Sequence, residues 1–221
     1  MITVQGNANI VSREVQVSSF IRLHVAVKGK VELIQSDEEK VVIEADENLQ
    51  EYIEVVNSGR TLYVNCEGKW QIPDFSTLKV RIYCRQLYTI HNHCSKGELI
   101  SANALTSTQP VEIKIYCDKG LTKLNVHAPS IKLVTACVGD TWLQGTCDAL
   151  EIKLSSDGDL YAEEMKAKNV ALKNYSAGDI HLYASETLTI SNFGSGNIDY
   201  YGEGMVKDIK QYGSGVVRHC N

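Results

Sequence analysis

A chain of 221 residues, 43% of them hydrophobic, can bury a proper core as one domain or two small ones and should fold without staples. A net charge of -5 with scattered basic residues excludes nucleic acid, because phosphate binding needs a concentrated positive patch. No apolar run reaches the ~18 residues of a membrane helix, so membrane insertion is not expected.

In chain order, Met1 to Gln5 has neither the basic start nor the apolar stretch of a signal peptide, which leaves the compartment open and the cytoplasm possible. Phe20 to Val27 alternates in hydrophobicity, and Gly29 leads into Val31 to Gln35, a pattern that predicts a hairpin. Val41 to Ala45 reads as a strand, Asp46 to Glu51 as a single helical turn, and Ile53 to Val56 with Thr61 to Cys66 as a hairpin around Asn57-Ser58-Gly59. Trp70 to Phe75, which contains Pro73, reads as a loop. Leu78 to Cys84 predicts a strand with Val80, Ile82 and Cys84 on one face. A boundary near His93 separates a β-rich N-terminal part, residues 1–93, from a repeat region, residues 94–221.

Two markers recur together in the second part. An apolar residue closes a short alternating run at Leu133, Ile152, Leu172, Ile190 and Ile209, and a glycine follows six positions later at Gly139, Gly158, Gly178, Gly196 and Gly215. Both series advance by the same uneven steps of 19, 20, 18 and 19 residues. Hairpins in a sandwich are free to vary their loops, whereas stacked rungs must close the same circuit each time. The expectation is an all-β β-solenoid, right-handed and parallel β-helix-like, with rungs of about 19 residues, five to six in number, capped by the more irregular N-terminal part. Val111-Ile113-Ile115 with Gly120 reads as an early irregular rung, and Lys207 stands where other units have Ile131, Leu150, Val170 and Leu188.

The seven cysteines include no Cys-x-x-Cys pair, so they read as buried free thiols rather than a disulfide framework, with Cys66, Cys84 and Cys117 on apolar strand faces. Nucleophile elbow, phosphate loop, dinucleotide fingerprint and zinc-helix motif are all missing. His91 and His93 share a strand face and suit zinc, but no third ligand can be named, so no metal site is assigned. The column Asp140, Asp159, Asp179 and Asn197 suits glycine turns; calcium ligation and an acid pair for a polysaccharide lyase or hydrolase are its other uses. No cofactor is expected.

Aromatic residues recur at equivalent places. Tyr175, Phe193 and Tyr212 stand three before a glycine; Trp142, Tyr161 and His181 stand three after one, with Tyr183 and Tyr201 two further on. On the outward parity such columns stack along the sheet, bind sugar faces or form protein interfaces.

Phe20-Ile21-Arg22-Leu23-His24-Val25, Ile43 to Leu49, Gly194-Ser195-Gly196-Asn197-Ile198-Asp199-Tyr200-Tyr201-Gly202 and Tyr212-Gly213-Ser214-Gly215-Val216 together resemble the auto-transporter adhesin head, or GIN-domain, family. The resemblance runs over nearly the whole chain. It implies a β-helical domain at the cell envelope with an adhesive role and no catalytic residues to carry over. The expected function is therefore a non-enzymatic adhesion or recognition module, binding a glycan or a surface protein and able to form a homo-oligomer. A carbohydrate-active β-helical enzyme and a structural spacer are the alternatives.

Overall fold

Each repeat unit makes one turn of a coil, because a strand, a glycine turn and a second strand bring the chain back beneath its starting point. The computed structural model describes residues 2–66, 70–155 and 157–221. It is 63% strand and 3% helix, a β-solenoid of about six turns.

Two parallel sheets run along the coil. The first stacks Thr61–Cys66, Arg22–Ala26, Thr89–Asn92, Val111–Ile115 and Ser130–Thr135, then the later halves of the long strands Thr141–Leu154, Leu160–Asn174 and Ile180–Asn192, and ends on Met205–Gln211. Its register sets Leu62, Leu23, Ile90, Ile113, Leu133, Ile152, Leu172, Ile190 and Ile209 in one line. The repeat markers therefore align as the sequence predicts. The second sheet stacks Leu78–Cys84, Lys30–Gln35, Glu98–Ser101 and Leu121–His127, the earlier halves of the same long strands, then Ile198–Tyr201 and Val217–His219. Both inner faces are closed to water from Phe20 to Ile198 in a continuous apolar core. Each fully buried Leu or Ile contributes roughly 1.5–3 kcal/mol of transfer free energy.

The glycine turns hold these sheets at a fixed distance. A Cβ at Gly158 would lie 2.1 Å from the carbonyl oxygen of Gly139, and one at Gly178 would lie 2.2 Å from that of Gly158. Consecutive turns approach so closely that no side chain fits between them. Inside the coil, Asn174 Nδ2 donates to Asn192 Oδ1 at 2.9 Å, while the side-chain oxygens of Asn174 and Asn192 accept the N–H groups of Ser176 and Gly194. These buried amides satisfy turn backbone that water cannot reach.

The N-terminal part departs from expectation in two places. Arg22–Ala26 and Lys30–Gln35 do not pair with each other as a hairpin; each is flanked by parallel neighbours. Gly29 joins the glycine column, with its carbonyl 2.3 Å from where a Cβ of Gly97 would stand, so the turn closes a rung rather than a hairpin. Residues expected as a loop form the strand Gln71–Asp74, which pairs in parallel with Ile2–Gln5 in a separate two-stranded sheet. Pro73 is tolerated there because a short edge ladder has little to lose.

Other N-terminal readings hold. Ile53–Ser58 and Thr61–Cys66 form the antiparallel hairpin, turning at Gly59 with φ +57°, and Glu47–Tyr52 is a 3-10 turn. Lys40–Asp46 lies antiparallel on Leu78–Cys84, and Ile10–Gln16 lies antiparallel on Lys40–Asp46. These strands cover one end of the parallel stack, where a free edge would otherwise invite pairing. Asp46, fully buried, accepts hydrogen bonds from the N–H of Ala8 at 2.7 Å and from the N–H and hydroxyl of Ser76 at 2.8 and 2.6 Å. Burial alone would raise its pKa, but these bonds prevail and hold it below the ordinary carboxylate value.

At the other end, register shifts between Leu188 and Thr189, so Val206 faces Leu188 and Asp208 faces Thr189. Lys207 is thus the extra residue of a bulge, which explains its break from the apolar pattern.

The thiol reading needs correction. Cys117 and Cys137 form a disulfide, 20 residues apart with a Cα–Cα distance of 4.7 Å. Parallel stacking lays residues one rung apart at a spacing within the disulfide range. Cys84, Cys94 and Cys147 are buried free thiols, while Cys66 is only half-buried.

Candidate functional site

Tyr175, Phe193 and Tyr212 lie just past strand ends in three consecutive turns, where the backbone still pairs: their N–H groups donate to Leu154, Asn174 and Asn192 carbonyls at 2.8, 2.7 and 2.8 Å. Equal rung height therefore stacks the rings. Tyr175 and Phe193 have centroids 4.9 Å apart with planes 6° from parallel, and Phe193 and Tyr212 4.7 Å and 10°. The three residues are 49%, 44% and 66% exposed. Their faces are spent on one another, so what the column offers along its length is ring edges; an open face remains only at its ends. This narrows the expectation that such columns present ring faces to sugars.

Beside this column the outer face of the first sheet carries a groove of 490 Å³ lined by Lys114, Lys132, Lys153, Lys173 and Tyr175, with Glu112 and Glu151. Lys114 is paired with Glu112 at 3.2 Å. Among the described residues, Lys132, Lys153 and Lys173 form no ion pair.

The second predicted column belongs to the outer face of the other sheet. Trp142 stacks on Tyr161 at 4.8 Å and Tyr161 on His181 at 5.4 Å. Lys123 sits 4.8 Å over Trp142 at one end. At the other, Asp199 faces His181 at 3.8 Å and holds Arg218 through two hydrogen bonds of 2.7 and 3.0 Å. The resulting ladder, from Lys123 to Arg218, is half-buried at its rings and uses its polar ends internally. Tyr183 and Tyr201 face each other in adjacent rungs, with Lys166 4.4 Å over the Tyr183 ring. They line a separate groove of 690 Å³ with Glu163, His219 and Cys220.

The acidic column has a backbone role. Oδ1 of Asp140 accepts the N–H of Asp159 at 2.9 Å, that of Asp159 the N–H of Asp179 at 2.7 Å, and that of Asp179 the N–H of Asn197 at 2.9 Å. Asn197 Oδ1 accepts the N–H of Val216 at 3.0 Å. Each carboxylate caps the next rung, which accounts for the recurrence of a side-chain acceptor after glycine.

Among the described residues, a single group of three or more His, Cys, Asp or Glu side chains has its ligand atoms all within 4.8 Å of one another: His24, His91 and His93. His24 was not legible as a partner, because it stands on a strand far away in sequence. Its only signal is parity, since the outward position of Arg22–Ala26 meets that of Thr89–Asn92 when the two strands pair.

A family model described as "Putative auto-transporter adhesin, head GIN domain" matches residues 19–204. The chain belongs to the GIN-domain family. Solved structures share the fold of this GIN domain at low identity. One titled a putative adhesin from Bacteroides fragilis NCTC 9343 is 22% identical with a TM-score of 0.89, covering 98% of this chain and 100% of its own. A second putative adhesin, from Parabacteroides distasonis ATCC 8503, is 20% identical with a TM-score of 0.76, covering 99% and 100%. A third, from the same strain and titled a putative lipid binding protein, is 21% identical with a TM-score of 0.77, again covering 99% and 100%. No curated protein matches this chain. No helix among its described residues is long and apolar enough to cross a membrane.

Proposed function

We propose that this GIN domain is a non-enzymatic adhesion or recognition module of the cell envelope, which docks on a surface protein through the Tyr175, Phe193 and Tyr212 column and the lysine-lined groove beside it. The observation that carries the reading is the coincidence of two exposed features on one face: stacked ring edges and three lysines, Lys132, Lys153 and Lys173, that form no ion pair among the described residues. Ring edges bury apolar area with little ordering cost, because the stack already fixes the rotamers. The lysines select a partner with acidic groups at the matching distance. The family and the adhesin titles of its structural neighbours support the adhesive role. The Cys117–Cys137 bridge supports an oxidising compartment, where disulfides persist.

The test displays the domain on beads and measures attachment to cells and to immobilised surface proteins, alongside a glycan array. Tyr175→Ser with Phe193→Ser should abolish attachment with the β signature in circular dichroism unchanged, and Lys153→Glu with Lys173→Glu should weaken it. Binding on the glycan array that the same variants abolish would replace the protein partner by a sugar. Loss of a dimer or trimer in the variants, seen by sedimentation, would identify the partner as a second copy. Wild-type attachment by both variants would leave the columns as scaffold and favour the structural-spacer reading.

A further inference from the structure

The parallel pairing of Arg22–Ala26 with Thr89–Asn92 sets His24 directly opposite His91. The next residues keep the register, since the N–H of His93 donates to the Val25 carbonyl at 2.7 Å. All three imidazoles consequently leave the outer face of the first sheet side by side. Ring centroids of His24 and His91 are 4.3 Å apart, and that of His93 is 6.4 Å from each. Tyr63 packs against His24 at 4.9 Å and Tyr116 against His93 at 5.4 Å, so the cluster is walled on two sides. His24 and His91 are half-buried and His93 is exposed.

A second observation points to a ligand. Nε2 of His91 is buried and, among the described residues, makes no well-formed hydrogen bond; Glu112 Oε1, at 3.5 Å, is a long and weak electrostatic partner. A buried polar atom of this kind normally finds a partner, and an ion is one. Glu112 also neutralises the nearest ammonium, Lys114, at 3.2 Å. Three imidazole nitrogens form a recurrent first shell for zinc at ~2.0–2.1 Å, which places nitrogens about 3.4 Å apart around a tetrahedral ion. Ligand atoms within 4.8 Å reach that spacing by side-chain rotation, most readily at exposed His93.

We propose that His24, His91 and His93 bind one divalent transition-metal ion, zinc or its near neighbours, through three ring nitrogens with a fourth position open to water. Imidazole selects this class over calcium and magnesium, which require oxygen ligands. The ion clasps two strands that the chain supplies 67 residues apart and leaves a coordination position facing outward.

The experiment uses the full chain without an affinity tag, stripped with chelator and titrated with Zn²⁺ by calorimetry and against a chromophoric chelator. One equivalent should bind, Ca²⁺ and Mg²⁺ should not compete, and the melting temperature should rise with zinc. His24→Gln, His91→Gln and His93→Gln should each weaken binding by about tenfold or more, and Co²⁺ should give visible d–d absorption that disappears in the triple variant. Exposed His93→Gln keeps the test valid if a substitution at His24 or His91 perturbs folding. Absence of stoichiometric zinc binding by the wild type, or wild-type affinity in the triple variant, overturns the proposal.

Discussion

Removing the bridge between Cys117 and Cys137 by double substitution to Ala is expected to cost this protein roughly 3 kcal/mol. The two residues are separated by 20 in sequence. In the chain-entropy treatment a closed loop of that length loses about 11 cal/mol/K from the unfolded ensemble, which at 25 °C is about 3.3 kcal/mol. Both side chains are nearly buried, at 6% and 3% exposure, so alanine avoids burying a new hydroxyl. The folded state should change little, because hydrogen bonds on both sides of the bridge, such as Ala136 N–H to the Ile115 carbonyl at 2.8 Å, hold the two rungs together. Urea unfolding followed by circular dichroism measures the loss. With a slope of about 2 kcal/mol/M, the midpoint should fall by about 1.5 M. Reductant should lower the wild-type midpoint to that of the variant and leave the variant unmoved. A thiol count on unfolded, unreduced protein should give five free cysteines out of seven. Seven free thiols, or a midpoint shift under about 0.3 M, would refute the assignment.

Asp46 contributes acid sensitivity. Its pKa is depressed in the folded state, so its stabilisation is present above the unfolded value near 3.8 and is lost as pH falls through the folded one. Stability measured from pH 6 down to pH 2 should fall more steeply for wild type than for Asp46→Asn, and equal slopes would count against it. At pH 7 the Asn variant should lose about 1–3 kcal/mol, since it cannot accept all the bonds from Ala8 and Ser76. Ile152→Asp or Leu172→Asp should cost roughly 4 kcal/mol or more, because each places a carboxylate in the middle of the apolar line with no partner; soluble, native-like protein of wild-type melting temperature would contradict the core. Cys84, Cys94 and Cys147, whose burial pushes their thiols up to about 12, 11 and 12, should react with a maleimide only on unfolding, while half-buried Cys66 and Cys220 react in the native state. Mass spectrometry of the labelled peptides gives the order.

The solenoid was legible from Leu133 onward because its determinants are local and periodic. Stacked rungs repeat the same inward parity and the same glycine contact, so Leu133, Ile152, Leu172 and Ile190 align in space as they do in sequence. For the same reason the outward Tyr175, Phe193 and Tyr212 column could be found by counting from glycines. Where the chain order and the spatial order part company, counting fails. Arg22–Ala26 alternates like any strand, and nothing within it says that its neighbours are Thr61–Cys66 and Thr89–Asn92 rather than the strand across Gly29. Tertiary pairing alone therefore decides that His24 meets His91, that Gly29 stacks under Gly97, and that Pro73 lies in a ladder with Val4. Cys117 and Cys137 fall between the two cases. Their one-rung spacing was visible, but a disulfide depends on two side chains meeting across a gap of rung height, and parity alone reads each as an ordinary buried thiol. Sequence periodicity specifies which side of a strand a residue takes, because side chains alternate along the backbone; which strand lies alongside is a long-range choice, made by the packing of the whole core.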